Sequence, residues 1–151
     1  MSEPCEVWFY HLERTSQERV LAELLEKTLA RGWKGLVRTI SAERVDQLDS
    51  SLWTYRDDSF LPHGPAGEAL SPRQPVLVTT GLVNENAAEV LFLADGAEPL
   101  NLGDFARCII LFDGADPEQL ALARRRWSAF KAEGLPVSYW KQVARGWEKQ
   151  A

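Results

Sequence analysis

The chain of 151 residues is 45% hydrophobic, the size of one domain with enough apolar content for a real core, so a single domain over residues 1–151 is expected, with residues 141–151 as a C-terminal tail. Its 17 Lys and Arg against 22 Asp and Glu give a net charge of −5, a balance that argues against a general nucleic-acid coat. No run approaches the roughly 18 apolar residues of a membrane span, and the first residues lack the basic and apolar regions of a signal peptide, so a cytoplasmic location away from membranes is expected.

Glu6 to Leu12, rich in aromatic and aliphatic residues, reads as a first strand, and Thr15, Ser16, Gln17 and Glu18 form a capping box that opens a helix. Val20, Leu21, Leu24, Leu25, Thr28 and Leu29 recur at helical spacing, and Gly32 stands where a helix end favours a left-handed residue, so the helix covers residues 16–31. Residues 34–40 read as a second strand, and Ser41 caps a second helix with Val45, Leu48 and Leu52 on its apolar side. This strand and helix alternation implies parallel pairing.

Residues 52–68 join Trp53, Tyr55 and Phe60 to Pro62, His63, Gly64, Pro65 and Gly67, a composition that suits neither a regular strand nor a helix. An aromatic loop results, either a binding surface on the scaffold or a loop that buries Trp53 and Phe60 in its own small core. Residues 75–80 and 89–94 read as short apolar strands with a turn around Asn84–Asn86, and residues 107–112 as a strand covered on both faces in mid-sheet. Asp116 and Pro117 open a third helix that runs to Gly134, with Leu120, Ala123, Trp127 and Phe130 as its apolar face. Residues 137–140 read as a short edge strand, and residues 145–151 as a frayed tail despite Trp147.

The charge is unevenly spread: residues 1–116 hold 10 Lys and Arg against 19 Asp and Glu, residues 117–151 hold 7 against 3. A basic end on an acidic chain suits a small acidic target, or is an ordinary solvated helix face. Open parallel sheets bind nucleotides at the carboxyl ends of their strands, but the turn after the first strand has no glycine and no Gly-rich segment ends in Gly-Lys-Ser/Thr, which argues against phosphate cradling. His11 and His63 belong to no nucleophile motif, Asp57 and Asp58 are a weak metal signal, and Cys5 and Cys108 lack a metal-ligand spacing, so no catalytic residue, metal or cofactor is expected.

Three blocks of the chain resemble the chi subunit of bacterial DNA polymerase III. They are Val7-Trp8-Phe9-Tyr10; the series Leu52-Trp53, Phe60-Leu61-Pro62-His63 and Ala66-Gly67-Glu68; and the helix Ala123-Arg124-Arg125-Arg126-Trp127-Ser128-Ala129-Phe130 that ends at Gly134. The resemblance implies a Rossmann-like α/β fold, an open and mainly parallel sheet flanked by helices without a nucleotide-binding loop. It further implies an accessory subunit of the DNA replication polymerase that makes no catalytic contribution of its own. Such subunits pair with psi of the clamp-loader complex and grip the acidic C-terminal tail of single-stranded DNA-binding protein, which ends in Pro-Phe with a free carboxylate, and so meet DNA only indirectly.

Carried over by position, Arg124 takes the tail's carboxylate, for which the planar guanidinium fork is suited, with Trp127, Ser128 and Lys131 beside it. Positions 124, 127, 128 and 131 share one helix face. Ser128 and Leu120 stand where better-known members carry lysine, which leaves the acidic stretch to weaker contacts or to Arg125 or Lys141, and Trp127 is either a pocket wall or core. For psi, the resemblance implies Trp53 and Phe60 as anchors, with Pro62 and His63 shaping the turn. Two alternatives stay open at this level: a single-stranded nucleic-acid or nucleotide-binding domain of the same fold that uses its basic C-terminal region on phosphates, and a small hydrolase or transferase built around His11 or His63.

Overall fold

The computed structural model describes residues 4–13, 16–54, 63–65, 75–81, 83–99, 101–143 and 146–150. Among these, the strands are β1 (Glu6–Leu12), β2 (Gly35–Arg38), β3 (His63–Pro65), β4 (Val76–Thr79), β5 (Val90–Leu93), β6 (Arg107–Asp113), β7 (Val137–Val143) and β8 (Gly146–Lys149). The helices are α1 (Gln17–Ala30), α2 (Ala42–Thr54) and α3 (Pro117–Ala132). One sheet runs in the order β3-β4-β2-β5-β6-β1-β7-β8, parallel throughout except for the antiparallel pair β7 and β8.

Each helix is set by local chemistry. The Ser16 side chain caps α1 by accepting from Arg19 N, one residue beyond the Thr15 of the expected box, and Thr15 itself lies outside the described residues. Ser41 Oγ accepts from Arg44 N at the start of α2, and Asp116 accepts from Glu118 N and Gln119 N ahead of Pro117 at the start of α3. α1 and α3 close in the same way. Gly32 at φ 81° donates to Leu29 O while Trp33 N reaches Thr28 O; Gly134 at φ 83° donates to Lys131 O while Leu135 N reaches Phe130 O. This double-bonded ending needs a left-handed residue and pins the next side chain back on the last helical turn.

β1 and β6 are the central strands, and their side chains alternate between two cores. Tyr10, Leu12, Ile109 and Leu111 pack with Leu21, Leu25, Leu48 and Leu52 of α1 and α2, while Val7, Phe9, Cys108 and Ile110 pack with Ala123 and Phe130 of α3. The division follows from handedness. The connection from β1 through α1 to β2 runs toward one edge and that from β6 through α3 to β7 toward the other, so right-handed crossovers place the helices on opposite faces. The crossover connections therefore reverse direction between β6 and β1, which is the switch point of the sheet.

Three expectations are corrected. β7 is neither short nor an edge: it extends to Val143 and lies between β1 and β8. Residues 146–149 of the supposed frayed tail form β8, because the chain turns back through Gly146 at φ 94° and Trp147 packs edge-on against Tyr10, 4.9 Å between ring centroids. The span expected as one aromatic loop, residues 52–68, is not loop throughout. α2 runs on to Thr54, and His63–Pro65 add an edge strand beside β4, a place that tolerates proline because one side of an edge strand has no partner.

Candidate functional site: the outer face of the third helix

The crevice between the carboxyl ends of β1, β5 and β6, where doubly wound sheets hold nucleotides, is a cleft of about 480 Å³ lined by Glu13, Glu18, Asp95 and Asp113 with Arg44. The arginine is already engaged, its Nε 2.9 Å from Asp95 Oδ2 and its Nη2 3.0 Å from Glu18 Oε1. Burial pushes the Asp95 carboxyl up, but hydrogen bonds from Arg44, Thr39 and Gln17 outweigh it and hold that carboxyl below its ordinary value. The adjoining starts of α1 and α3 are capped by Ser16 and Asp116. A phosphate here would meet four carboxylates and two helix starts already capped by side chains, the reverse of an anion site.

Cationic groups gather instead on α3. Arg124, Arg125 and Lys131 are exposed, and none of the three has an ion pair among the described residues. Arg126 differs. It is half-buried and donates to Ala97 O at 2.8 Å and Gly96 O at 3.1 Å, fixing the turn after β5. Trp127 is partly buried, with its ring edge-on to Phe9 (5.6 Å, 66°) and to Tyr139 of β7 (5.9 Å, 80°). Lys131 Nζ lies 5.8 Å from the centre of the Trp127 ring, within cation–π range. Ser128 is exposed on the same side of the helix. Both readings of Trp127 therefore meet in one residue, which packs on the core and is still partly exposed beside Lys131.

Tyr139 completes this face, and sequence reasoning missed it because residues 137–140 read as a bare edge strand. Burial raises its phenol, the Arg124 charge lowers it and Glu13 raises it, so the net direction is up. Its hydroxyl is 2.5 Å from His11 Nδ1, and His11 Nε2 is 2.7 Å from Glu13 Oε1. Lys141 Nζ stands 3.6 Å from the same carboxylate oxygen. Gly114 lies so close to His11 that a Cβ there would overlap the imidazole. His11, the expected centre of the hydrolase or transferase alternative, is thus a buried prop beneath Tyr139.

The residues expected to face psi are described only in part. Trp53 belongs to the last turn of α2 and His63 to β3, whereas Phe60, Pro62, Asp57 and Asp58 lie outside the described residues.

An open α/β sheet with an acidic switch-point crevice, and with its free cations on an outer helix, defines a Rossmann-like domain adapted to something other than nucleotide binding. A model of the family described as DNA polymerase III chi subunit, HolC, matches residues 5–138. A protein of Rickettsia prowazekii (strain Madrid E) described as "Probable DNA polymerase III subunit chi" is 30% identical over an aligned length of 111, with 69% of this chain and 67% of that protein covered. The chain belongs to the DNA polymerase III chi subunit family, accessory subunits of the replicative polymerase. No helix among the described residues is long and apolar enough to cross a membrane.

Proposed function

We propose that the protein is a cytoplasmic adaptor that joins the clamp loader, through psi, to the acidic C-terminal tail of single-stranded DNA-binding protein. The observation that carries this reading is the α3 face: exposed Arg124 and Lys131 with no ion pair among the described residues, set around a partly exposed Trp127 backed by Tyr139. A tail that ends in Pro-Phe needs a cation for its carboxylate, an aromatic wall for its ring and further cations for its acidic stretch. Arg124, Trp127 and Lys131 supply these in turn, with Ser128 between them and Arg125 on the flank. Lys141 serves this stretch less well, because Glu13 already holds it.

Psi is assigned to the other end of the sheet, where α2 delivers Trp53 and β3 carries His63, with Phe60 and Pro62 between them in sequence. β3 and β7 are six strand positions apart, roughly 30 Å at ordinary strand spacing, so both partners would fit at once. Fluorescence anisotropy of a labelled acidic peptide ending in Pro-Phe tests the tail site. Saturable binding in the micromolar range, about −8 kcal/mol, is expected for the wild type and is lost in Arg124→Ala but kept in Trp53→Ala. No binding by the wild type, or equal loss in both variants, would overturn the two-surface reading.

A further inference from the structure

On the sheet face opposite α3, the helices stop short. α1 packs mainly on β6 and β2, and α2 on β3 and β4. The side chains that β1, β7 and β8 raise on this side form a layer of aromatic rings. Tyr10 stacks on Trp140 (6.5 Å, 13°) and meets Trp147 edge-on, and Trp8 lies 6.0 Å from Trp140. Trp8, Trp140, Trp147 and Trp33, which the close of α1 pins at the head of β2, are all partly exposed.

Cations run through this layer. The Arg107 guanidinium is 4.0 Å from the Trp8 ring centre and 5.5 Å from that of Trp33, and the guanidinium of exposed Arg31 is 4.1 Å from Trp33. Lys27 and Arg31 line a groove of about 150 Å³ with Trp8, Trp33 and Arg107, and Arg31, Trp33 and Arg107 also line a wider one of about 540 Å³ that carries Glu6 and Asp104 as well, so the narrower groove is the one suited to a phosphate. Arg107 is short of partners. Its side chain is 16% exposed, its ion pair to Glu6 is long at 3.6 Å, and its Nε has no acceptor among the described residues. Buried donors are ordinarily satisfied, so a guanidinium in this state points to an anion that completes it.

We infer that this face is a weak site for single-stranded DNA, with a base stacked on the Trp33 ring and its Arg31 guanidinium and phosphates met by Arg107 and Lys27. Half-exposed rings laid on a sheet and interleaved with cations are the arrangement that holds unpaired bases, because every base offers a flat face and every linkage a negative charge. An acidic peptide would use the cations and leave the indoles idle. The site lies across the sheet from α3 and does not rest on the tail-binding proposal. It gives the protein a direct hold on the strand that a bound tail brings near, and two weak holds reinforce each other through effective concentration.

The test is a titration with oligo(dT), followed by quenching of tryptophan fluorescence and by anisotropy of the labelled oligonucleotide, at two salt concentrations. Saturable quenching that weakens with salt is expected, together with an affinity about tenfold or more lower in Trp33→Ala. Arg31→Glu changes an exposed residue, leaves the fold intact by circular dichroism, and weakens DNA binding while sparing the Pro-Phe peptide. Arg124→Ala does the reverse. The inference is overturned if wild-type protein shows no saturable binding, if DNA binding is lost in Arg124→Ala and kept in Arg31→Glu, if Arg31→Glu abolishes peptide binding instead, or if sedimentation shows the ring layer pairing two copies without affinity for DNA.

Discussion

Gly114→Ala probes how the α3 face is supported. Gly114 lies outside the left-handed region, so alanine fits its backbone and the cost is steric alone. The added methyl would overlap the His11 ring, which is held on one side by Tyr139 and on the other by Glu13. Overpacking of this kind costs about 1–3 kcal/mol, and a displaced imidazole gives up the Tyr139 hydrogen bond, about 0.5–1.5 kcal/mol more. Against this, replacing glycine restrains the unfolded chain and returns about 0.4–1 kcal/mol. The net is about 2 kcal/mol of destabilisation, a fall in Tm of roughly 4–8 °C for a chain of this size. Urea unfolding gives the number, and a double-mutant cycle with His11→Ala gives the cause. With the ring removed there is room for the methyl, so Gly114→Ala becomes neutral or slightly stabilising and the two changes couple by at least ~1 kcal/mol. Additive behaviour, or a neutral single mutant, would refute the contact as the source of the glycine requirement. If α3 holds the tail as proposed, the single mutant is also expected to lose a few-fold in affinity for the Pro-Phe peptide, because Tyr139 backs Trp127.

The acidic crevice predicts a pH dependence. Asp95 titrates below its ordinary value when folded, so its stabilisation is complete above about pH 4 and is lost as pH falls through the lower folded value. Asp95→Asn, which tolerates the φ of 57°, therefore flattens the acid limb of the stability profile and costs about 1–3 kcal/mol at pH 7; an unchanged acid limb would sink the assignment. Both thiols are buried, and burial, with Glu6 adding and Arg107 opposing, pushes that of Cys5 up to about 11, while Cys108 is also raised. A thiol reagent at pH 8 is expected to label neither cysteine in folded protein and both in urea. Trp147→Ala removes a half-buried ring that meets Tyr10 edge-on, and is expected to cost about 1–2 kcal/mol by urea unfolding; no loss would mean that β8 contributes nothing.

Where a signal was local, the sequence disclosed it. The caps at Ser41 and Asp116 and the left-handed closes at Gly32 and Gly134 sit where their residue types demanded, and the unbroken apolar run of β6 announced a strand covered on both faces. Strand ends were less legible: residues 34–40 shortened to Gly35–Arg38 because pairing, not composition, sets where a ladder stops. β8 was illegible for a related reason. Gly146-Trp147-Glu148-Lys149 has no strand pattern of its own, and only the partner β7 and the Tyr10 ring make a strand of it. Tyr139 was missed because it belongs to the site through Trp127 and His11, which are distant in sequence and meet only once β1, β7 and α3 have packed. Arg124, Trp127, Ser128 and Lys131 were visible at helical spacing; that Arg126 turns inward to hold Gly96 and Ala97 was not.

One change in charge accounts for what this fold gave up and what it kept. Glycines and open helix ends at a switch point make a phosphate site, and here the same place holds Glu13, Glu18, Asp95 and Asp113 around an arginine that two of them consume. The interaction of Arg44 with Asp95 and Glu18 ties the start of α1 to α2 and to the turn after β5, so the crevice now stabilises the scaffold where a ligand would have loosened its demands. Among the described residues, exposed cations without an ion pair stand on α3 and at the close of α1, on opposite faces of one sheet. A rigid sheet with its crevice closed by its own side chains holds such faces at fixed separation, as the contacts proposed for them require.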